Sequence, residues 1–304
     1  MTLKCGTGLA LGAITIEVEA ILRSYGVSDW RRIVAKTGIE TVTRVGDDQT
    51  SLDLGIQAGA DALSNWSNSQ TIIDSVISVT GTPVRGFPGH SYSIANALGL
   101  SNSVRCIDLI SGCSGFVEAF ELAAALGGCN LIVCQETYGS RGFSEGYVSE
   151  ILFSDGAAAV VLDFDDIEIL ESVSIREPDT EKVICSDKFG EVYMDGPRVF
   201  EFVRTAVIPQ INQVLEKAIL RKKTPDILFL HSGSGLVQTL LQSSLPVSPN
   251  KMPNNLNVRG NMISASIPAL IHDMKSRHEA TIETVLMSGF GVGLSSKTIL
   301  VQWA

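Results

Sequence analysis

Residues 104–126 constrain the fold of this chain more than any other segment. Val104–Ile110 is an apolar run that reads as a strand, Ser-Gly-Cys-Ser-Gly is a turn of small residues, and Gly115–Leu126 is an alanine-rich amphipathic helix. A strand that passes through a short turn straight into a helix is the building unit of α/β folds. Similar units surround it. Helices are expected over 14–25, Ser51–Trp66 and Ser91–Leu98, and strands over Ser75–Thr80, Asn130–Gln135 and Ala157–Val161. After Asp163 the pattern restarts. Ile167–Ile175 is extended, Pro197–Ala218 is a long helix, and Ile227–His231 is a strand ending in a histidine. Leu236–Gln242 and Ser266–Asp273 are helical, and the strands Thr284–Gly289 and Thr298–Trp303 flank a Gly-Phe-Gly-Val-Gly turn. The layout predicts an internally duplicated α/β fold with two similar halves, 1–163 and 164–304, although no literal repeat is visible.

Composition narrows the function classes. A chain of 304 residues can bury a large core, and 45% hydrophobic residues with 28 glycines suit strands covered on both faces. Only 18% of residues are charged, in keeping with a subunit interface, and the net charge of −10 argues against a general nucleic-acid role. No apolar run approaches a membrane span and the start lacks a cleavable leader pattern, so a cytoplasmic, thiol-reduced setting is expected. The six cysteines have neither disulfide-framework nor metal-ligand spacing, and with four histidines no metal site is expected.

Four polar elements fall at strand ends or turns: Cys113, His231, Asn261 and the Gly289–Gly293 loop. In an open α/β sheet such positions gather in a crevice beyond the strand termini. A thiol at the start of a helix faces the first helical N–H groups, which stabilise a thiolate able to attack a thioester carbonyl. His231 and an amide can stabilise the negative charge that develops. Backbone N–H groups at Cys113 and in the glycine loop can form an oxyanion hole. From the residues alone, a buried packing cysteine, a loop-bonding histidine and a capping asparagine remain open.

Several ordered motifs extend the pattern over nearly the whole chain. They are Lys36-Thr-Gly-Ile, Ala95-Asn-Ala-Leu-Gly, Asp108-Leu-Ile-Ser-Gly-Cys-Ser-Gly-Phe, Phe153-Ser-Asp-Gly-Ala-Ala-Ala-Val-Val-Leu, Met194-Asp-Gly-Pro-Arg-Val-Phe-Glu-Phe, Gly260-Asn-Met-Ile-Ser-Ala-Ser-Ile-Pro and Gly289-Phe-Gly-Val-Gly-Leu. In this set the chain resembles the ketoacyl-synthase III branch of the thiolase superfamily. The resemblance implies a five-layered α-β-α-β-α arrangement and a decarboxylating condensation of an acyl group with a malonyl-type thioester. It implies Cys113 as the acylated nucleophile, with His231 and Asn261 polarising the second thioester carbonyl. It implies Gly291 as the oxyanion donor beside the Cys113 amide, and Phe87 as an aromatic that shapes the acyl pocket across a dimer interface. The implied substrates are acyl-coenzyme A or acyl-carrier-protein thioesters, with no tightly bound cofactor, and the implied assembly is a homodimer or a heterodimer with a homologue.

The chain also departs from that family. His231 is followed by Ser-Gly-Ser rather than Gln-Ala-Asn, Asn261 by Met-Ile rather than Thr-Ser, and Cys113 is preceded by Gly112 rather than alanine. At the entrance, Arg32 stands where the family stacks a tryptophan on adenine, with Trp30 two residues earlier. Arg31, Arg32 and Lys36 then offer a phosphate-binding mouth. These changes, with slightly trimmed loops, point to a specialised pathway such as polyketide assembly rather than to fatty-acid initiation. They leave open transfer of the acyl group to an oxygen or nitrogen nucleophile without decarboxylation. His90, His272, His278, Cys129 and Cys134 are expected to be structural.

Overall fold

The structure, a computed structural model, describes residues 4–67, 72–140, 146–178, 180–186, 191–275 and 282–303. Its first half contains β1 (Gly6–Leu11), β2 (Ile14–Glu17), α1 (Val18–Ser24), α2 (Trp30–Thr37), β3 (Thr41–Arg44), α3 (Ser51–Ser64), β4 (Ser75–Val79) and α4 (His90–Ala97). It continues with β5 (Arg105–Leu109), α5 (Gly115–Leu126), β6 (Cys129–Glu136), α6 (Tyr147–Leu152) and β7 (Gly156–Asp163). There follow β8 (Ile167–Arg176), β9 (Ile184–Ser186), β10 (Val192–Met194), α7 (Gly196–Phe202), α8 (Ile208–Leu220) and β11 (Ile227–Leu230). The chain closes with α9 (Gly235–Ser244), α10 (Leu256–Arg259), α11 (Ser266–Lys275), β12 (Thr284–Gly291) and β13 (Ser295–Trp303).

Two sheets organise these elements, one in the order β1-β7-β6-β4-β5 and one in the order β11-β12-β13-β8. Alternate residues of each strand face opposite sides, and both sides are apolar. Val76, Leu131 and Val133 pack with Leu54, Ala58 and Ala62 of α3 and Ile94 of α4. The intervening Ile77, Ile132 and Cys134 pack instead against Phe116 and Phe120 of α5. The far side of this middle layer, which α5 shares with α11, meets Phe229, Val285, Met287 and Ile299 of the second sheet. That sheet's other face, with Leu228, Leu286 and Leu300, is covered by Ile211, Val214 and Leu215 of α8 and Leu241 of α9. The result is a five-layered α-β-α-β-α arrangement in which α5 lies between the two sheets.

Three local readings change. Residues 14–17 form a strand, not the start of a helix: alternating Ile-Thr-Ile-Glu pairs antiparallel with Thr41–Arg44, and the helix begins only at Val18. The segment 197–218 is helical throughout but passes through a π-helical stretch at Val203–Val207 between α7 and α8. The strand β12 runs two residues further than the glycines suggest, pairing Gly291 with Ser295 of β13.

Phe120 makes edge-on or tilted contacts with Phe116, Phe164 and Trp303 and is 1% exposed. Phe120→Ala should destabilise the protein by about 3–5 kcal/mol in urea unfolding, whereas Leu220→Ala, 84% exposed at the end of α8, should stay within about 0.5 kcal/mol of wild type.

Candidate active site

The polar ends of strands from both sheets converge on one cavity of about 730 Å³. Cys113 enters it from a 3₁₀ turn, Gly112–Ser114, that runs directly into α5. Gly112 has φ +53°, a left-handed conformation that explains glycine at this position. His231 follows β11 and is held by its N–H donating to Ser288 O at 2.9 Å. Asn261 is clamped by the first half of the chain: its N–H donates to Leu152 O and its carbonyl accepts from Ser154 N–H, both at 2.9 Å.

The side-chain orientations follow. Asn261 Oδ1 accepts from Ile263 N–H at 2.9 Å and from Ser266 Oγ at 3.5 Å, so its amide nitrogen is the free end. An ideal Cβ added to Gly233 would lie 3.7 Å from Asn261 Nδ2 and 3.4 Å from His231 Nε2, which brings these two nitrogens to one spot. Gly233 has φ +65° and itself lines the cavity. From the other side, an ideal Cβ on Gly291 would lie 3.1 Å from Cys113 Sγ. Cys113, His231, Asn261 and Gly291 therefore share one chamber.

No Lys, Arg, Asp or Glu contributes to its lining among the described residues. The walls are apolar: Ile184, Val192 and Met194 from the β9–β10 ribbon, Val199 and Phe200 from α7, and Val148 and Leu152 from α6. Burial lowers the His231 pKa from 6.5 to about 4, so the imidazole is neutral near pH 7. Its Nδ1 has no hydrogen-bond partner, and Phe290 lies edge-on at 5.6 Å between centroids. An orphaned buried acceptor is better tolerated than an orphaned N–H, which favours the proton on Nε2, facing the chamber. Burial, reinforced by the Glu136 carboxylate, pushes the Cys113 thiol from 9.0 up to about 12. The helix N-terminus opposes this shift, yet the resting residue is a thiol rather than the stabilised thiolate expected from the turn alone.

The remaining sequence candidates do not line this cavity. Phe87 is 88% exposed on the loop before α4. Trp30, Arg32 and Lys36 lie on α2, whose end abuts the start of α9: an ideal Cβ on Gly235 would be 3.0 Å from Lys36 O and Gly38 N. The helix thus stands beside the wall formed by Ser232–Val237. The guanidinium groups of Arg31 and Arg23 lie 4.6 and 5.2 Å from the Trp30 ring centroid, while Arg32 pairs with Asp29 at 3.7 Å. His90 is buried and structural, its Nε2 accepting from Val84 N–H at 3.0 Å. His272 meets Thr7 Oγ1 at 3.2 Å, Cys129 and Cys134 are buried, and His278 lies outside the described residues. The β9–β10 wall and the buried Glu136 were missed; Met194-Asp-Gly-Pro marked the first as a motif without assigning it to the pocket.

Comparisons with known proteins agree with the fold. Residues 37–166 match the N-terminal domain of chalcone and stilbene synthases, and residues 215–303 match the C-terminal domain of 3-oxoacyl-[acyl-carrier-protein] synthase III. The fold is that of the thiolase-type condensing enzymes. In sequence the chain resembles the ketoacyl-synthase III-like enzymes at low identity. It is 28% identical over 298 residues to the beta-ketoacyl-[acyl-carrier-protein] synthase III of Streptococcus agalactiae, covering 90% of each chain. The solved 3-oxoacyl-[acyl-carrier-protein] synthase III of Aquifex aeolicus superposes with a TM-score of 0.86 at 26% identity over 98% of both chains. The priming β-ketosynthase of the R1128 polyketide pathway gives 0.86 at 24% identity, over 98% of this chain and 95% of that one. Among the described residues no helix is long and apolar enough to cross a membrane.

Two pH responses follow. Carbamidomethylation of Cys113 should keep accelerating between pH 8 and pH 11 instead of levelling near the ordinary thiol value of about 8.5. As pH falls below 6.5, the unfolded chain protonates His231 before the folded one does. Stability should therefore drop between pH 6.5 and about 4, and His231→Asn should flatten that part of the urea-midpoint profile.

Proposed function

We propose that the protein is a decarboxylating condensing enzyme that loads an acyl group onto Cys113 from a phosphopantetheine thioester. The observation that carries this reading is the meeting of Cys113 Sγ, His231 Nε2 and Asn261 Nδ2 in one chamber without charged walls. In the first half-reaction the sulfur attacks the acyl carbonyl. The Cys113 and Gly291 N–H groups receive the oxyanion, and the donor leaves as its thiol carrying the proton lost by Cys113. In the second, the neutral His231 and the Asn261 amide donate to the carbonyl of a malonyl-type thioester. A carboxylate in these surroundings has no cation to pair with. Loss of carbon dioxide relieves that desolvated charge and leaves the electron pair as an enolate held by the two donors. The enolate carbon then attacks the acyl-Cys113 carbonyl, and the sulfur departs and recovers a proton.

The same reading assigns the entrance to α2, with Trp30 available to stack on the adenine of coenzyme A and Arg32 and Lys36 able to meet the phosphates of coenzyme A or of a carrier's arm. It treats the chain as two duplicated halves divided after residue 163, and as a homodimer. The support for the dimer is the open edge of β5 beside two bare apolar side chains, Phe87 at 88% and Ile110 at 80% exposure. Phe87 would then reach the partner's acyl pocket. Six unpaired cysteines suit a reducing, cytoplasmic setting. The uncharged lining and the altered histidine motif suit a specialised acyl donor in a polyketide-type pathway.

Intact-mass spectrometry with a panel of acyl-coenzyme A and acyl-carrier donors should add one acyl mass to wild type and none to Cys113→Ala. His231→Ala and Asn261→Ala should still acylate but release carbon dioxide from malonyl donors about a hundredfold more slowly or worse. Ester or amide formation without carbon dioxide would instead establish plain acyl transfer.

A further inference from the structure

Glu136 ends β6 and is fully buried beneath the place where the Cys113 and Asn261 turns meet. One carboxylate oxygen accepts from Ser264 Oγ at 2.6 Å. The other accepts from Gly81 N–H at 3.0 Å and from Thr82 Oγ1 at 3.4 Å. Three donors directed at one carboxyl group suit its ionised, acceptor-only form. The tie to Ser264 joins the two halves of the chain, since Glu136 belongs to the first sheet and Ser264 to the loop before α11.

That loop holds a strained conformation beside the chamber. Ile263, a β-branched residue, has φ +53°, a region such side chains avoid. Its N–H is the donor that fixes Asn261 Oδ1. Ser264 follows immediately, and an ideal Cβ on Gly115 would lie 3.7 Å from Ser264 Cβ, so the serine also abuts the start of α5 behind Cys113. A strained turn persists only when its surroundings over-determine it. Here the buried Glu136–Ser264 hydrogen bond anchors the residue next to the strain.

We propose that Glu136 is a positioning residue: through Ser264 it holds the Ile263 turn and so aims the Asn261 amide into the chamber. The inference rests on the condensing reading above and goes beyond it by placing control of the second half-reaction in a residue outside the cavity lining. The same carboxylate adds to the burial that raises the Cys113 pKa, burial being the larger cause. The two effects separate by mutation, because Ser264→Ala cuts the tie to Asn261 and leaves the charge in place, whereas Glu136→Gln removes the charge.

The test compares these variants in three measurements. In Ser264→Ala, acyl-Cys113 formation should remain within about twofold of wild type while carbon dioxide release slows about tenfold or more. In Glu136→Gln, carbamidomethylation of Cys113 at pH 8 should be about threefold faster or more, an increase that Ser264→Ala should not show. The double variant should release carbon dioxide within about twofold of the slower single variant, because both substitutions act on one linkage. Crystal structures of Ser264→Ala should show the Asn261 amide turned from the chamber, and this readout needs no acyl donor. A wild-type protein that never acylates overturns the condensing reading but leaves the alkylation and crystallographic tests of Glu136 intact. An unmoved Asn261, losses that multiply in the double variant, or equal slowing of both half-reactions overturns the positioning role. Ser264→Ala deletes a single hydroxyl and carries the test should Glu136→Gln fail to fold.

Discussion

The closeness of β12 to the Cys113 turn governs the rest of the site. An ideal Cβ on Gly289 would sit 2.7 Å from Cys113 O and 2.8 Å from Ser114 Cα, and one on Gly291 would sit 3.1 Å from the sulfur. No other residue type fits at Gly289 without pushing the second sheet off the helix that both sheets share. Were the sheet displaced, β11 would carry His231 away with it, because β11 pairs with β12 in parallel register. The glycines therefore set the distance between halves on which the meeting of Cys113 with His231 and Asn261 depends. The turn-forming freedom of glycine matters less here than its lack of a side chain.

A chamber reached in this way is lined without charged side chains among the described residues, and its electrostatics follow from that. Moving either protein group to its ionic form is penalised, which lowers the His231 pKa and raises that of Cys113. A site holding a preformed thiolate–imidazolium pair would need compensating charges that this lining lacks. The chemistry available is that of neutral donors, aimed at oxygen atoms whose charge grows during reaction, together with a helix terminus beside the sulfur. The buried Glu136 lies outside the lining, satisfied by donors of its own, and acts on the chamber from behind.

Most of the strand–helix units and the four residues of the chamber were readable in the sequence because each carries a local signature, whereas the order of the strands within each sheet was not. Cys113 lies in a strand–turn–helix junction, His231 ends an apolar strand, and Asn261 and Gly291 stand in small-residue turns. Residues 14–17 misled because one apolar stretch contains both a β-branched strand and the start of α1. The apolar walls were not readable: Ile184, Val192 and Phe200 come from short elements whose directions depend on packing rather than on spacing. Glu136 was hidden for a similar reason. Its partners Gly81, Thr82 and Ser264 are 54 or more residues away in the chain, and no local pattern announces a buried carboxylate of that kind.

The altered residues after the histidine also acquire a physical account. Ser232 donates to Gln238 Oε1, and the Gln238 amide donates to Met252 O at 3.2 Å, which pins the start of α9 to the loop behind it. Ser234 caps the same helix through Val237 N–H. The two serines are thus engaged in holding the loop, and the residue between them is a glycine in the left-handed region that adds no side chain in front of the imidazole. A side chain at position 233 would begin 3.4 Å from His231 Nε2 and 3.7 Å from Asn261 Nδ2, in the space that a thioester oxygen would occupy in the proposed reaction. By keeping the loop short of side chains, the sequence leaves room at the point where the second substrate reacts. Met262, meanwhile, is turned inward against Gly156 and the core rather than toward that substrate.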